Sequence, residues 1–209
     1  MFCQNTCIPG TSDDERDKIL KIVAGLKPAD IIPFHLAVFV SNDFELVKRS
    51  SLALGYLGSK SATRPLLKIL RNSPSWQSRM FAAATLMELG DKWAVLPLIA
   101  VAENVAEDQR VRDEAAEALS VFVRKQPDRV IPALLRLVDD ASAWVRWSVA
   151  FSLGHASDAR AVPALERLSR DATILPGGQV CIGVDATEAL GHVRQRLERR
   201  NRPAKSLLG

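Results

Sequence analysis

The 209-residue sequence predicts an all-α protein, a right-handed α-α superhelix of about five stacked helical hairpins with a capping helix at its N-terminal end. Three observations predict it. Proline recurs at Pro33, Pro65, Pro97, Pro132 and Pro163, at intervals of 32, 32, 35 and 31 residues, each time in a short apolar setting (ADIIPF, ATRPLL, AVLPLI, RVIPAL, RAVPAL). After each proline an amphipathic stretch gives way to a polar break and then to an alanine-rich stretch closing near Gly55, Met87, Ser120, Gly154 or Gly191. The apolar 47% of the chain is mostly aliphatic, with aromatics at 6%, a balance that favours helix packing over a β-sandwich.

The elements follow in order. Residues 1–12 read as a flexible N-terminus, and the amphipathic run from Asp13 to Leu26 as the cap. The repeats span approximately 28–58, 60–90, 92–125, 127–157 and 159–193, so one solenoid covers 13–193. In each, the proline belongs near the start of the first helix, where a missing N–H costs little because early N–H groups have no intrahelical acceptor. The second helix carries one stripe at i, i+4, i+7, i+8 and i+11, as in Val111, Ala115, Ala118, Leu119 and Phe122. Its small alanines let neighbouring axes approach, and Asp43, Asp108 and Ser142 stand where N-caps are wanted. A hairpin with one apolar side cannot bury it alone, so the units must stack. The last unit is longer between proline and closing glycine, and Asp171, Pro176, Gly177, Gly178 and Gln179 mark a turn-forming insertion, a candidate binding loop.

A helix with Ala-Val-Pro-Ala-Leu, an aspartate-bearing turn, and a helix with Val-Arg, paired alanines and Leu-Gly resembles the short HEAT-like repeat of the armadillo-type family named after phycobilisome lyases. Ala161 to Leu165, Asp139 with Asp140, and Val145 to Gly154 carry the likeness, which covers roughly 28–193. The resemblance implies an inter-repeat ladder in which Arg79, Arg112 and Arg146 pair with turn acids, here Asp108, Asp139 and Asp140. Val47 and Gly183 occupy the arginine position in the end units, so the ladder is expected only in the middle.

The formal charge of +4 is concentrated in residues 194–209, where Arg194, Arg196, Arg199, Arg200, Arg202 and Lys205 face Glu198 alone; this segment reads as a dispensable basic tail. The odd set Cys3, Cys7 and Cys181 fits free thiols in a reducing cytoplasm. The start of the chain lacks a basic region and an apolar run of signal-peptide length, and no apolar window is long enough for a membrane span. His35, His155 and His192 fall in different repeats without ligand spacing, and no phosphate loop or nucleophile motif occurs. No metal, cofactor or catalytic residue is expected.

The family places the second helices on the concave face. The third and seventh residues counted from the Val of Val-Arg, or its counterpart, point away from the stripe: Lys48 and Leu52, Met80 and Ala84, Asp113 and Glu117, Trp147 and Phe151, Val184 and Glu188. Trp147 and Phe151 at i, i+4 make an apolar patch beside the acids Asp113, Glu114 and Glu117, whereas Trp76, Trp93 and Trp144 read as packing. The expected function is a non-catalytic, protein-binding scaffold that takes a helix or extended segment through Trp147, Phe151, Asp113, Glu114, Glu117, Met80 and Lys48. The family name implies an alternative, a phycobilin lyase-like chromophore chaperone. A third reading, nucleic-acid binding, requires a basic concave track that the middle repeats lack.

Overall fold

The computed structural model describes residues 28–201 apart from Asn42. Among the described residues ten α-helices form five hairpins: α1 (Pro28–Val38) with α2 (Phe44–Leu57), α3 (Thr63–Asn72) with α4 (Trp76–Leu89), α5 (Val95–Glu103) with α6 (Gln109–Ala118), α7 (Pro127–Arg136) with α8 (Ala143–Gly154), and α9 (Val162–Leu168) with α10 (Ile182–Asn201). No strand occurs among the described residues; the only pairing of that kind is an isolated bridge between Ile174 and Cys181. The second helices pack each against the next, α2 through α10, as one continuous layer, and each first helix covers its own partner. Between the layers lies one core, built from residues such as Leu66, Leu86, Leu98, Leu119, Ile131, Leu153 and Leu165. The proposed cap at 13–26, Cys3 and Cys7, and residues 202–209 lie outside the described residues.

The prolines obey two rules rather than one. In α3, α5 and α9 a single 3-10 turn (Lys60–Ala62, Lys92–Ala94, Ala159–Ala161) precedes the helix, which places Pro65, Pro97 and Pro163 second or third, where no N–H is missed. In α1 and α7 the α-helix starts earlier, at Pro28 and Pro127, whose fixed φ is already helical. Pro33 and Pro132 are therefore interior, and the carbonyls of Ala29 and Asp128 lose a helical donor; both residues are exposed, so water serves instead.

Caps follow local chemistry. Asp43 accepts from the Leu46 N–H, Ser75 from Ser78 and Asp108 from Arg110, while left-handed Gly58 (φ 61°) and Gly90 (φ 57°) close α2 and α4. Ser142 occupies an N-cap position but its hydroxyl makes no cap bond; its N–H donates to Asp140 Oδ1 instead. The insertion folds back through the Ile174–Cys181 bridge, turns at Gly177 and Gly178, and is pinned by buried Leu175.

The last helix corrects the boundary at 193. It runs on to Asn201 because its final turns are held: Leu197 packs on the core, and Arg196 donates to the carbonyls of Gly154 and Ala156 at the end of α8. Arg200 adds a bond to the Ser157 carbonyl, and Arg194 pairs with Glu166. No described helix is long and apolar enough to cross a membrane.

Candidate functional site

On α8, spacing of three and four residues brings Trp144, Trp147, Phe151 and His155 onto one helical face. Trp147 and Phe151 stack with centroids 5.8 Å apart and 18° between planes; Trp144 meets Trp147 edge-on at 6.4 Å, and exposed His155 meets Phe151 edge-on at 4.8 Å. Both stacked rings are half-buried. Trp147 is clamped from the next repeat, since its Nε1–H donates to Asp185 Oδ2 at 2.7 Å. The result is a fixed aromatic shelf.

Beside it, α6 presents Asp113, Glu114 and Glu117, all half-buried. The Ser148 hydroxyl on α8 donates to Asp113 Oδ1 at 2.5 Å, tying acids to shelf. Burial pushes Asp113 up to about 6 against that hydrogen bond. Burial, reinforced by Glu117, Asp113 and Glu88 of α4, pushes Glu114 up to about 8, and burial with Asp113 pushes Glu117 up to about 7. Arg110 and Arg112 on the same helix pair with Asp108 and Asp140, and among the described residues no ion pair reaches these three acids. Burial thus shifts all three carboxyls toward the protonated form, in which a carboxyl can donate as well as accept a hydrogen bond.

Lys48 and Met80 do not join this group. Lys48 is exposed beside Glu45 on its own helix at 3.8 Å, and Met80 is half-buried against the core two helices away from α8. Sequence reasoning missed Ser148, His155, Asp185 and Glu88. His155 continues the i, i+4 series from Trp147 and was legible; Ser148, Asp185 and Glu88 come from neighbouring helices and carry no local signal. Trp93 is 71% exposed rather than packed, because it sits on a 3-10 turn outside the core, and Trp76 lies under the Arg110 guanidinium at 3.4 Å.

The arginines make three rungs. Arg79 grips Glu107 through two bonds of 2.9 and 2.6 Å, Arg112 grips Asp140 bidentately, and Arg146 reaches Asp171 at 2.8 Å; each also donates to a backbone carbonyl of its own repeat. Two expected acids are replaced. Asp108 caps α6 and binds Arg110, leaving Glu107 for Arg79, and Asp139 faces outward to Arg167. Asp171 from the insertion serves Arg146, a partner the repeat pattern does not reveal. Where Gly183 replaces arginine, the backbone of Ser169 and Asp171 comes so close that a Cβ would lie 2.7–2.8 Å from their carbonyl oxygens. Among the described residues no group of three His, Cys, Asp or Glu side chains could hold a metal ion.

The family model for HEAT repeats matches residues 63–122 and 95–174, more than half of the chain. The chain belongs to the HEAT-repeat family. It also resembles the bilin biosynthesis protein PecE of Nostoc sp. (strain PCC 7120), with 24% identity over 168 residues, 79% of this chain and 64% of PecE. Among solved structures it superposes on a chain of the CpcE–CpcF complex of phycocyanin lyase from Nostoc sp. PCC7120, with a TM-score of 0.60 and 22% identity over 78% of this chain and 65% of that one. A designed armadillo repeat protein in complex with the peptide (KR)4 shares the fold with a TM-score of 0.52 and 19% identity, over 88% of this chain and 95% of the designed one. The chain thus spans just under two thirds of the two Nostoc relatives. Those two relatives correct the expectation of a generic scaffold, since one is named for bilin biosynthesis and the other belongs to a phycocyanin lyase, which favours the chromophore alternative.

Proposed function

We propose that this HEAT-repeat chain handles a bilin, holding the tetrapyrrole against α6 and α8 during a lyase-type transfer in which a second polypeptide takes part. The observation that carries the reading is the juxtaposition of the Trp147–Phe151 shelf with Asp113, Glu114 and Glu117, joined through Ser148, in a chain resembling PecE. A linear tetrapyrrole is a flat conjugated ligand with apolar faces and N–H donors along its centre. The shelf supplies a face for stacking, and the carboxyls supply acceptors for the N–H groups. Because burial holds these acids partly protonated, an approaching N–H or cationic tetrapyrrole stabilises the carboxylate form and draws a proton off. The chain's contribution to a lyase-type step is then orientation and proton exchange. That CpcE is found with CpcF supports a two-polypeptide arrangement here.

The test is an absorbance titration with biliverdin near neutral pH, using the intact chain. We expect saturable binding with a spectral shift, weakened at least about tenfold by Phe151→Ala and by Asp113→Asn, proton uptake or release that Asp113→Asn alters, and no effect of Lys48→Ala. Trp147→Phe, which keeps the packing but drops the bond to Asp185, checks that shelf geometry rather than folding is responsible. Absence of a spectral change, or equal affinity in all four variants, would overturn the reading.

A further inference from the structure

Four glycines lie within second helices among the described residues, and three are explained by a neighbour. A Cβ at Gly55 would lie 3.2 Å from Glu88 Cβ, at Gly154 2.8 Å from Ala189 Cβ, and at Gly183 2.7 Å from the Ser169 carbonyl oxygen. Gly191 is the exception: a Cβ there meets nothing within 4 Å. A helix-interior glycine is destabilising relative to alanine, and nothing among the described residues requires this one. It stands in the same Leu-Gly-His tripeptide as Gly154 (Leu153–His155 and Leu190–His192), so it occupies the position that, one repeat earlier, seats the following second helix through Ala189.

The surroundings of Gly191 match an unfilled seat. Val184, Thr187, Glu188, Gly191 and Gln195 form the exposed side of α10, while Ile182, Ala186, Ala189, Leu190 and Val193 are buried against the stack. From Phe122 onward only two large apolar side chains are exposed among the described residues, Val184 at 65% and Ile174 at 60%, and both are at this end. A cleft of about 590 Å³ opens beside Val184, and Cys181, Gly183, Thr187 and the charged Arg170, Asp171 and Glu188 also line it.

We propose that this face is a self-association surface, on which α10 of a second copy docks antiparallel with the helices crossing near Gly191. The occupant follows from continuity and charge. The layer from α2 to α10 is already an interface between helices of this chain, and α8 with α10 shows that a Leu-Gly-His helix accepts another at close range. The first half of α10 holds Asp185 and Glu188 and no Lys or Arg, whereas the second half holds Arg194, Arg196, Arg199 and Arg200 against Glu198. Neither Glu188 nor Arg199 has an ion pair among the described residues. Antiparallel pairing sets the acidic half of each helix toward the basic half of the other, and a two-fold contact closes on itself as a dimer. This surface is independent of the bilin reading, which rests on α6 and α8.

Sedimentation equilibrium of the intact chain tests it. We expect a concentration-dependent dimer whose dissociation constant rises at least about 30-fold on Gly191→Gln. The monomer's melting temperature should stay unchanged or rise, because the added side chain meets no internal atom. Glu188→Arg, three residues from the crossing, should also weaken the dimer. A chain that stays monomeric at about 100 μM, or a dimer indifferent to Gly191→Gln, would overturn the proposal.

Discussion

Arg112 sits inside the stack with only 6% of its surface exposed, and its guanidinium is shared between Asp140 and the Ala102 carbonyl. Removing Asp140 leaves a buried cation without its counter-charge, whereas its neighbour Asp139 faces water with Arg167. We therefore expect Asp140→Ala to destabilise the fold by about 3–5 kcal/mol and Asp139→Ala by less than about 0.5 kcal/mol, as chemical denaturation of both variants will show. The acidic cluster makes a second prediction. Asp113, Glu114 and Glu117 are all raised in the folded state, so between the ordinary carboxylate range and about 8 the native protein binds more protons than the unfolded chain. Stability from these groups is greatest at low pH and is lost as pH rises through that window. The melting temperature should fall from pH 5 to pH 8, and Glu114→Gln should flatten the profile and stabilise the protein most at pH 8. An unchanged profile in that variant would show that Glu114 does not set it.

At the scale of elements, α10 departs most from what its sequence foretells. Residues beyond 193 read as a solvated basic tail because arginines crowd an otherwise polar stretch. In the fold the half-buried Arg196 satisfies carbonyls at the end of α8 that have no helical donor. Ending the chain after Val193 removes those bonds and the packing of Leu197. We expect the melting temperature to drop by about 3 °C or more, at 2–4 °C per kcal/mol for a chain of this size, and Arg196→Ala to reproduce part of the loss while Arg199→Ala does not. Equal melting temperatures for full-length and truncated chains would return the segment to the status of a tail.

Across the described part of the molecule, each hairpin packs chiefly against its neighbours, so stability propagates along the stack through local interfaces. The arginine rungs join the second hairpin to the third, the third to the fourth and the fourth to the fifth. The first hairpin has Val47 in place of an arginine and is joined to the second through smaller groups, such as the Ser51 hydroxyl bonded to Thr85 and to the Phe81 carbonyl. Native-state hydrogen exchange should therefore find amides of α2 opening at lower free energy than those of α6 and α8, by about 1 kcal/mol or more. Uniform protection from α2 to α8 would mean that the rungs do not govern local opening.

The amino-acid sequence by itself determined the all-helical class, the two-helix repeat, the arginine positions and the adjacency of Trp147 and Phe151. All of these are periodicities within one helix or recurrences at one register, and such patterns are written locally. What only the tertiary structure decided are pairings between residues some 25–40 positions apart. Glu107 rather than Asp108 receives Arg79, Asp171 receives Arg146, Asp185 holds Trp147 and Ser148 holds Asp113. The raised pKa values belong to the same class, because burial of Glu114 and its closeness to Glu88 arise only when α4, α6 and α8 stand side by side. Helix packing sets those distances to a fraction of an ångström, and a repeat pattern that specifies which face is apolar leaves open which of two adjacent acids the next arginine will reach.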